Sequence, residues 1–382
     1  AAQIATLVVF GLLSWEVADI AVAVAWAVVV GSVAQVLVQL PKVRRLAPTV
    51  RPNLTRTPAL SDVVSRFTPA VGARGVVQIS SYADLALAGL LVFGALSWYT
   101  FALPLYLLPI SLFGFSVAAA ELAEMSRSTG GAQAVADRLT PALRQVLVPA
   151  GFVTAVFLVA GRPVVDALYG WLSRLFDAGL TGSAEITTIG LVLTAFAIGL
   201  PATMTARVTQ NTLYSLGDVR GPARIAVLRL IVSVTVGLIL ILQLDWLTFD
   251  ASDDIVRFGD VPHWPPWERV PEVRRLDRNA PPHLGVVGLA LGAAAASWVE
   301  WFALRHRLRS KLGLPVRSGW ARSVTVAAVA AAVVMAGIGR LGLPSPIDAA
   351  VIGVIGAGIY GATLWIQGVR PAIGRRSGGS SD

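Results

Sequence analysis

The chain contains no cysteine and only three histidines among its 382 residues. Without cysteine it has no disulfides, thiolate metal ligands or thiol nucleophiles. The histidines, His263, His283 and His306, lie in or beside polar stretches, which excludes a histidine metal cluster inside an apolar segment. Charged residues are also scarce, at 14% of the chain. We therefore expect neither a metal nor a cofactor.

Hydrophobic residues make up 55% of the chain, more than a soluble core of this size can bury. A helix needs about 20 apolar residues to cross the ~30 Å hydrocarbon layer of a bilayer. Nine runs roughly reach this length: 20–40, 76–98, 101–122, 146–164, 186–206, 225–244, 284–304, 324–341 and 347–369. A shorter run, 1–15, begins without Met or a charged flank and indicates the end of a helix that starts upstream. The pattern predicts an all-α, polytopic integral membrane protein.

Basic residues outnumber acidic ones by 31 to 22, which gives a net charge of +9. In a soluble protein this excess would suggest nucleic acid, but the positive-inside rule explains it here, and no nucleic-acid partner is expected. Most of the basic residues fall in alternate loops, at 41–71, 126–145, 207–224 and 305–322, and in the tail. We predict that these loops and the C-terminus are cytoplasmic and that segment 245–282 is external.

Two segments interrupt the alternation of spans and loops. The first, 41–71, is rich in proline and basic residues and is predicted to be a cytoplasmic linker too polar to insert. The second, 245–282, is rich in proline and tryptophan, and we interpret it as an irregular external insertion without a function of its own. The predicted parts are the end of an N-terminal lobe at 1–40, the linker at 41–71, a C-terminal lobe at 72–311 that contains the insert, two additional helices at 312–370, and a polar tail at 371–382.

An ionisable side chain inside a span indicates a site, and Asp84 lies near the middle of run 76–98. Gln78 and Ser81 precede it at three-residue intervals on one helix face, and Ser80 lies one turn before it. An unpaired carboxylate in lipid costs at least about 3 kcal/mol, so this stripe is expected to face a cavity or another helix. Two interpretations stay open: a proton, cation or headgroup site, and a hydrogen-bond cluster that only joins helices.

Two further charged residues lie within spans, Glu300 and Arg229. Glu300 falls near the end of its apolar run, just over one turn before Arg305, and Arg229 falls about one turn inside its own run. We expect both side chains to extend towards water at the membrane surface.

Two prolines interrupt run 101–122, Pro104 and Pro109. Each frees a backbone carbonyl and bends a helix, and in a membrane such bends persist beside neighbouring helices or a cavity. We predict a hinge at these prolines. Tyr106 lies between them and is a candidate substrate contact.

The sequence shows no Walker A motif, no nucleotide-binding fold and no carboxylate pair with hydrolase spacing. ATP-driven transport and membrane-embedded hydrolysis are therefore disfavoured. A secondary transporter or flippase, and not an enzyme, fits these observations better.

Five short motifs follow one another along the chain: VLVQLP at 36–41, QIS at 78–80 with Asp84 after it, PISLFG at 109–114, YSLGDVRGPARI at 214–225 and GVVGLAL at 285–291. Together they resemble the signatures of the MviN/MurJ-type lipid II flippases. The loop at 214–225 is the most specific match.

The resemblance implies the fold of the multidrug/oligosaccharidyl-lipid/polysaccharide exporter superfamily, with two six-helix lobes around a central cavity and two additional C-terminal helices. On that map the first four helices are absent and 72–311 holds helices seven to twelve, so the chain alone is not expected to flip lipid II.

The implied function is the flipping of a lipid-linked peptidoglycan precursor across the bacterial cytoplasmic (inner) membrane by alternating access. The implied partners are this substrate, membrane lipids and cell-wall synthesis proteins. Two alternatives stay open: an exporter of another polyprenyl-linked or amphiphilic substrate, and a non-transporting envelope-synthesis scaffold.

The sequence departs from the family pattern at several charged positions. Pro104 and Leu107 occupy the places of a cation and an acid in helix eight. Asn211 replaces a residue that is often basic, and Arg207, one turn earlier, is expected to substitute for it in binding the substrate. Where members of the family bind sodium near the helix-seven acid, only Ser233 and Thr235 are available as partners on helix eleven.

Overall fold

The computed structural model describes residues 6, 9, 17–46, 58–120, 131–170, 173, 182–250, 252, 254–259, 267–313, 319–341 and 345–369. Several predictions fall at least partly outside these residues, including those for the run at 1–15, the centre of the linker at 41–71, the start of loop 126–145, the Trp- and Pro-rich part of the insert and the tail at 371–382. The chain divides into two compact units, residues 1–64 and 65–382, which are considered separately.

Helices dominate the described part of the chain. In order they are α1 (Val17–Leu46), α2 (Pro58–Gly89), α3 (Ala95–Pro109), a π-helical segment (Ile110–Phe115), α4 (Gly131–Val165), a second π-helical segment (Asp166–Gly170), α5 (Ser183–Ser215), α6 (Arg220–Leu244), α7 (Glu272–Leu276), α8 (Gly285–Leu312), α9 (Gly319–Ile338) and α10 (Ser345–Ile366). Eight described helices are long and apolar enough to cross a membrane. The predicted all-α polytopic architecture is confirmed.

Both described ends of segment 41–71 are helical. Helix α1 continues through Pro41 to Leu46, and its last turn carries Arg44 and Arg45, where cations interact favourably with the carbonyl end of a helix. Helix α2 begins at Pro58, a residue that is favoured in the first turn of a helix because it has no N–H to satisfy. Whether this segment acts as a linker stays a prediction.

The prediction of one span at 76–98 is wrong. Helix α2 ends at Gly89, and the chain turns before α3 begins at Ala95. Gly94 has a φ of 92°, and a Cβ there would lie 2.7 Å from the ring of Trp98. The apolar run hides this turn because every residue on both sides of it is hydrophobic or small, so hydropathy alone gives no signal.

The main core of the larger unit surrounds α5, the most deeply buried of the candidate membrane spans. Helix α8 packs beside it and approaches α6 very closely. A Cβ on Gly292 would lie 2.6 Å from the Cα of Gly237, so only glycine permits this contact between the two backbones. Small residues at such a position allow membrane helices to pack tightly.

A second core forms where α9 and α10 pack against α4. The hydroxyl of Tyr360 donates a hydrogen bond to the carbonyl of Val148 at 2.6 Å and joins α10 to α4. Helix α4 bends at Ala160, which has a φ of −110° and a ψ of 22°. The bend has a local cause, because Pro163 in the following turn cannot donate a backbone hydrogen bond and crowds the preceding turn.

The insert at 245–282 contains regular structure, contrary to the prediction. Strands β1 (Leu247–Phe249) and β2 (Ile255–Arg257) form an antiparallel pair, and α7 follows. The insert also satisfies the backbone of the α2–α3 turn. The carbonyl of Arg275 accepts a hydrogen bond from the N–H of Phe93 at 2.8 Å, and the Arg269 and Arg275 side chains donate to the carbonyl of Leu90. The segment therefore has a structural role.

Candidate functional site

Asp84 lies on α2 with a buried side chain. The hydroxyls of Tyr99, on α3, and Ser233, on α6, are its hydrogen-bonding neighbours, and the guanidinium of Arg229 attracts its charge. Within the described part of the chain, Asp84 Oδ1 makes no hydrogen bond. Three helices thus converge on one carboxylate whose hydrogen-bonding capacity is not filled.

Arg229 and Glu300 form an ion pair across α6 and α8, with Arg229 Nη1 at 3.4 Å from Glu300 Oε2. The expectation that both side chains extend to water is wrong, because only 4% of the Glu300 side chain is exposed. The apolar runs end near both residues, but α8 continues twelve residues past Glu300, about 18 Å, and α6 begins nine residues before Arg229, about 14 Å. Both side chains are therefore covered by the packing of these helices. We call Asp84, Arg229 and Glu300 the membrane charge cluster.

Tyr106 lies beside this cluster at the junction of α3 and α5. Its hydroxyl and that of Thr203 are 2.9 Å apart and share a hydrogen bond, while its ring stacks on Phe196 with centroids 4.7 Å apart. The charge of Arg229 acts on Tyr106 as well as on Asp84. The aromatic ring holds α3 against α5, and the hydroxyl adds a polar group to the site.

The two predicted hinge prolines differ in their surroundings. Pro104 is exposed on α3, whereas Pro109 is buried at its end. The helix changes to π-helical geometry directly after Pro109, over Ile110–Phe115. Such segments are rare and often occur at functional sites. The break in regular geometry therefore lies at Pro109 and not at Pro104; whether it acts as a hinge stays a prediction.

The stripe that precedes Asp84 is not buried with it. The side chains of Gln78 and Ser81 are exposed, and Ser80 is half-buried. The structure therefore separates the stripe into a buried carboxylate and a set of accessible polar groups along α2.

Arg207 lies half-buried on α5, with its guanidinium carbon 5.4 Å from the centre of the Phe115 ring. Its Nη1 also donates to Gln210 Oε1 at 3.4 Å. Asn211, one turn further on, donates from Nδ2 to the carbonyl of Ala118 at 2.9 Å. Arg207 thus places a cation beside the π-helical segment. Asn211 joins α5 to the helical residues directly after that segment.

The loop between α5 and α6 is held by Asp218. Its carboxylate accepts two hydrogen bonds from Arg307, from Nε at 2.5 Å and from Nη2 at 3.0 Å, and a third from the N–H of Gly221 at 3.0 Å. Hydrogen bonding to Arg307 holds the pKa of Asp218 below its usual value. Gly217 has a φ of 76°, which favours glycine. The distinctive residues of this loop therefore have a structural role in closing α5 onto α6.

On the opposite side, Asp245 ends α6 in a buried position without a hydrogen bond at Oδ1 among the described residues. Burial raises its pKa to about 7, although Arg275 and Arg269 act in the opposite direction. His283 Nδ1 lies 2.6 Å from the carbonyl oxygen of Asp245, and burial lowers the pKa of this imidazole. Sequence reasoning missed this pair because their contact spans the whole insert.

The described residues contain no group of three His, Cys, Asp or Glu side chains that fits a metal ion. Of the two hydroxyls considered for sodium, Ser233 lies beside Asp84, but Thr235 is exposed on the same helix. The arginine cation of the cluster lies where the acid of α2 meets α6. The structure thus brings one of the two candidate oxygen ligands to Asp84, together with a permanent positive charge.

Several known proteins are similar to this chain in sequence. The family model described as lipid II flippase MurJ matches residues 2–261. The chain is 29% identical over 219 residues to lipid II flippase MurJ of Burkholderia cenocepacia, covering 55% of this chain and 41% of that one. It is 24% identical over 188 residues to the probable lipid II flippase MurJ of Rickettsia prowazekii, covering 49% and 36% respectively. The aligned part of the chain thus spans about two fifths of the length of these relatives.

The fold is also similar to a solved structure. A lipid II flippase MurJ in an inward closed conformation superimposes with a TM-score of 0.65 and 14% identity, covering 97% of this chain and 67% of that one. At this identity, the comparison supports the fold alone.

Proposed function

The chain belongs to the MurJ lipid II flippase family, and on that premise we propose that it takes part in moving a lipid-linked, lipid II-like peptidoglycan precursor across the bacterial cytoplasmic membrane. The movement is alternating access without a change of covalent bonds, so the protein acts as a transporter and not as an enzyme. The membrane charge cluster carries the proposal. Charged side chains within a membrane-spanning bundle are costly, and they occur where they face its interior or a pathway.

We assign substrate contacts to the polar groups around the cluster. Asp84 and Tyr106 form its inner part, Gln78, Ser80 and Ser81 extend it along α2, and Arg207 adds a cation at the π-helical segment. A diphosphate headgroup needs cations in the cavity, and the family's cation position in helix eight holds Pro104. Arg229 supports the assignment, because it brings a positive charge to Tyr106 from α6 instead.

A second candidate function has its own supporting observation. Pro104 and Leu107 are both exposed on α3 and carry no charge. A surface of this kind favours a less highly charged headgroup, so an exporter of another polyprenyl-linked or amphiphilic substrate is the alternative. The chemical identity of the lipid that accumulates when transport fails distinguishes the two.

The transport experiment is the exchange of Asp84→Asn at the native gene, followed by mass spectrometry of membrane lipids. We expect normal protein levels and accumulation of lipid-linked precursor, because the change removes a charge while preserving shape. Asp348→Asn is the matched control, since Asp348 is also a buried carboxylate but lies in the first turn of α10. Accumulation of a different polyprenyl-linked lipid would support the alternative, and an unchanged lipid profile would favour a scaffold without transport.

We also propose that the C-terminal ends of α5 and α8 face the cytoplasm. The last turns of α8 carry Arg305, Arg307, Arg309 and Lys311, and cytoplasmic flanks of spans are rich in cations. Single cysteines in this cysteine-free chain test the orientation. A membrane-impermeant maleimide should label Glu268→Cys in intact cells, but Arg309→Cys only after permeabilisation. The reverse pattern would overturn the assignment.

A further inference from the structure

A groove of about 510 Å³ lies between α4, α5, α8 and α9. It is separate from the membrane charge cluster, although both use α5 and α8 as walls. On α5, Thr203 contacts Tyr106 beside the cluster, whereas Pro201 and Thr205 line the groove. On α8, Glu300 belongs to the cluster and the next residue, Trp301, lines the groove.

The depth of the groove matches one leaflet of a bilayer. Its lining on α9 runs from Trp320 to Ala332, twelve residues or about 18 Å of helix. Half of a hydrocarbon layer of ~30 Å is close to this length. The lining is mostly aliphatic or aromatic and includes Leu147, Leu158 and Val329. A surface of this composition at membrane depth suits an acyl chain.

The groove contains a cation that lies against a tryptophan ring. The guanidinium carbon of Arg305 lies 5.1 Å from the centre of the Trp301 ring, and Trp320 lines the same groove near the start of α9. Tryptophan is enriched at the level of lipid headgroups. A guanidinium presents paired N–H donors that match the oxygens of a phosphate, and basic pockets between spans bind anionic headgroups.

We propose that this groove binds one anionic glycerophospholipid of the cytoplasmic leaflet, with its phosphate at Arg305 and an acyl chain along α5 and α8. A membrane phospholipid fits better than the transported lipid for two reasons. The groove is only one leaflet deep, and the residues of α5 and α8 that line it are not those that form the charge cluster. The bound lipid fills the space beside the hydrogen bond from Trp298 Nε1 to the carbonyl of Ile198, which joins these two helices at 2.9 Å.

Native mass spectrometry of the purified protein in detergent tests the proposal with dioleoyl phosphatidylglycerol and dioleoyl phosphatidylcholine as probes. We expect one tightly held phosphatidylglycerol and a preference over phosphatidylcholine of about fivefold, as one cation near a lipid surface provides. Arg305→Gln should remove the preference and Arg305→Lys should largely retain it. Arg309→Gln is the matched control, since Arg309 is exposed on the same helix outside the groove.

A second pair of variants tests the apolar part independently of charge. Ala328→Trp fills the groove and should abolish the tight binding of both lipids, whereas Val326→Trp, on the exposed face of α9, should have no effect. Thermal unfolding confirms that each variant is folded. Equal loss of preference in Arg305→Gln and Arg309→Gln, or unchanged binding in Ala328→Trp, would overturn the proposal. Displacement of phosphatidylglycerol by an equimolar polyprenyl phosphate would assign the groove to the transported lipid instead. None of these results depends on transport activity.

Discussion

Two contacts between a carboxylate and a guanidinium lie on α8 of this protein, and they differ in depth and in geometry. Near the end of the helix, Arg307 donates two hydrogen bonds to the Asp218 carboxylate, and the N–H of Gly221 donates a third. Two turns earlier, Glu300 meets Arg229 at 3.4 Å, and Glu300 Oε2 makes no hydrogen bond within the described residues.

The pair with the more complete hydrogen bonding is therefore the one at the helix end, where the charges depend on it less. At the end of the helix, water can solvate both groups, and the bidentate contact adds precision to a loop. In the interior, incomplete hydrogen bonding is costly, and a pair formed only to stabilise the fold would be expected to be complete. The loose geometry therefore fits the transport role that we propose for the inner cluster.

The largest expected effect comes from breaking the inner contact. Arg229→Ala leaves Glu300 buried without its cation and should destabilise the protein by about 3–5 kcal/mol. The double change Arg229→Met with Glu300→Leu removes both charges of the ion pair but leaves Asp84 without its cation, so it should restore part of that stability while abolishing transport. Unfolding in detergent, followed by circular dichroism, measures both effects. A double variant as unstable as Arg229→Ala would contradict the electrostatic explanation.

Asp245 extends the comparison to a buried carboxylate with one oxygen, Oδ1, that makes no hydrogen bond among the described residues. Its pKa is raised in the folded state, so its contribution to stability is fully present below the unfolded pKa near 4 and is lost as pH rises through about 7. A shift of this size corresponds to at most about 4 kcal/mol across that window. Asp245→Asn should abolish the loss of stability of the insert as pH rises from 4 to 7, and it should leave the opposite pH dependence of His283, whose pKa is lowered by burial. Hydrogen exchange at Phe93 and Phe258 reports on the insert, and a stability that still falls as pH rises would contradict the assignment.

The outer contact should be less critical than the inner one. Asp218→Asn weakens the bonds to Arg307 and should cost about 1–2 kcal/mol, since 37% of the Arg307 side chain is exposed and water replaces part of the loss. Because the pKa of Asp218 is lowered on folding, its stabilisation is present at neutral pH and is lost on acidification through the folded pKa. Chemical unfolding at pH 7 measures the effect. A loss as large as that of Arg229→Ala would remove the distinction between the two contacts.

Gln78→Ala should have the smallest effect on stability, within about 0.5 kcal/mol, because the side chain is exposed. If the α2 stripe lines the transport cavity, the same variant should still slow transport. Ile79→Ala, at the next position of α2, is the matched control, since Ile79 is also exposed, and it should transport normally. Lipid flipping in reconstituted vesicles is the readout. Equal rates for the two variants would limit the site to the buried cluster.

Much of the fold could be predicted from the pattern of residues along the chain. Long apolar runs predict membrane helices because the hydrocarbon layer imposes both length and composition. The loop motif at 214–225 pointed to the family that the comparison confirmed. The α2–α3 turn could not be predicted in this way, since its backbone groups are satisfied by Arg269 and Arg275, almost two hundred residues further along the chain.

The candidate site, too, could be predicted only in part from the sequence. The pattern of residues alone singles out Asp84 as a charge in an apolar run, although a turn divides the single span that was predicted there. That Arg229 and Glu300 join it depends on helix packing, since the apolar runs gave helix ends one to two turns short and placed both side chains near water. Hydropathy measures the composition of a segment. Whether a charged side chain is buried depends on how far its helix continues beyond the apolar run and on which neighbouring helix packs against it.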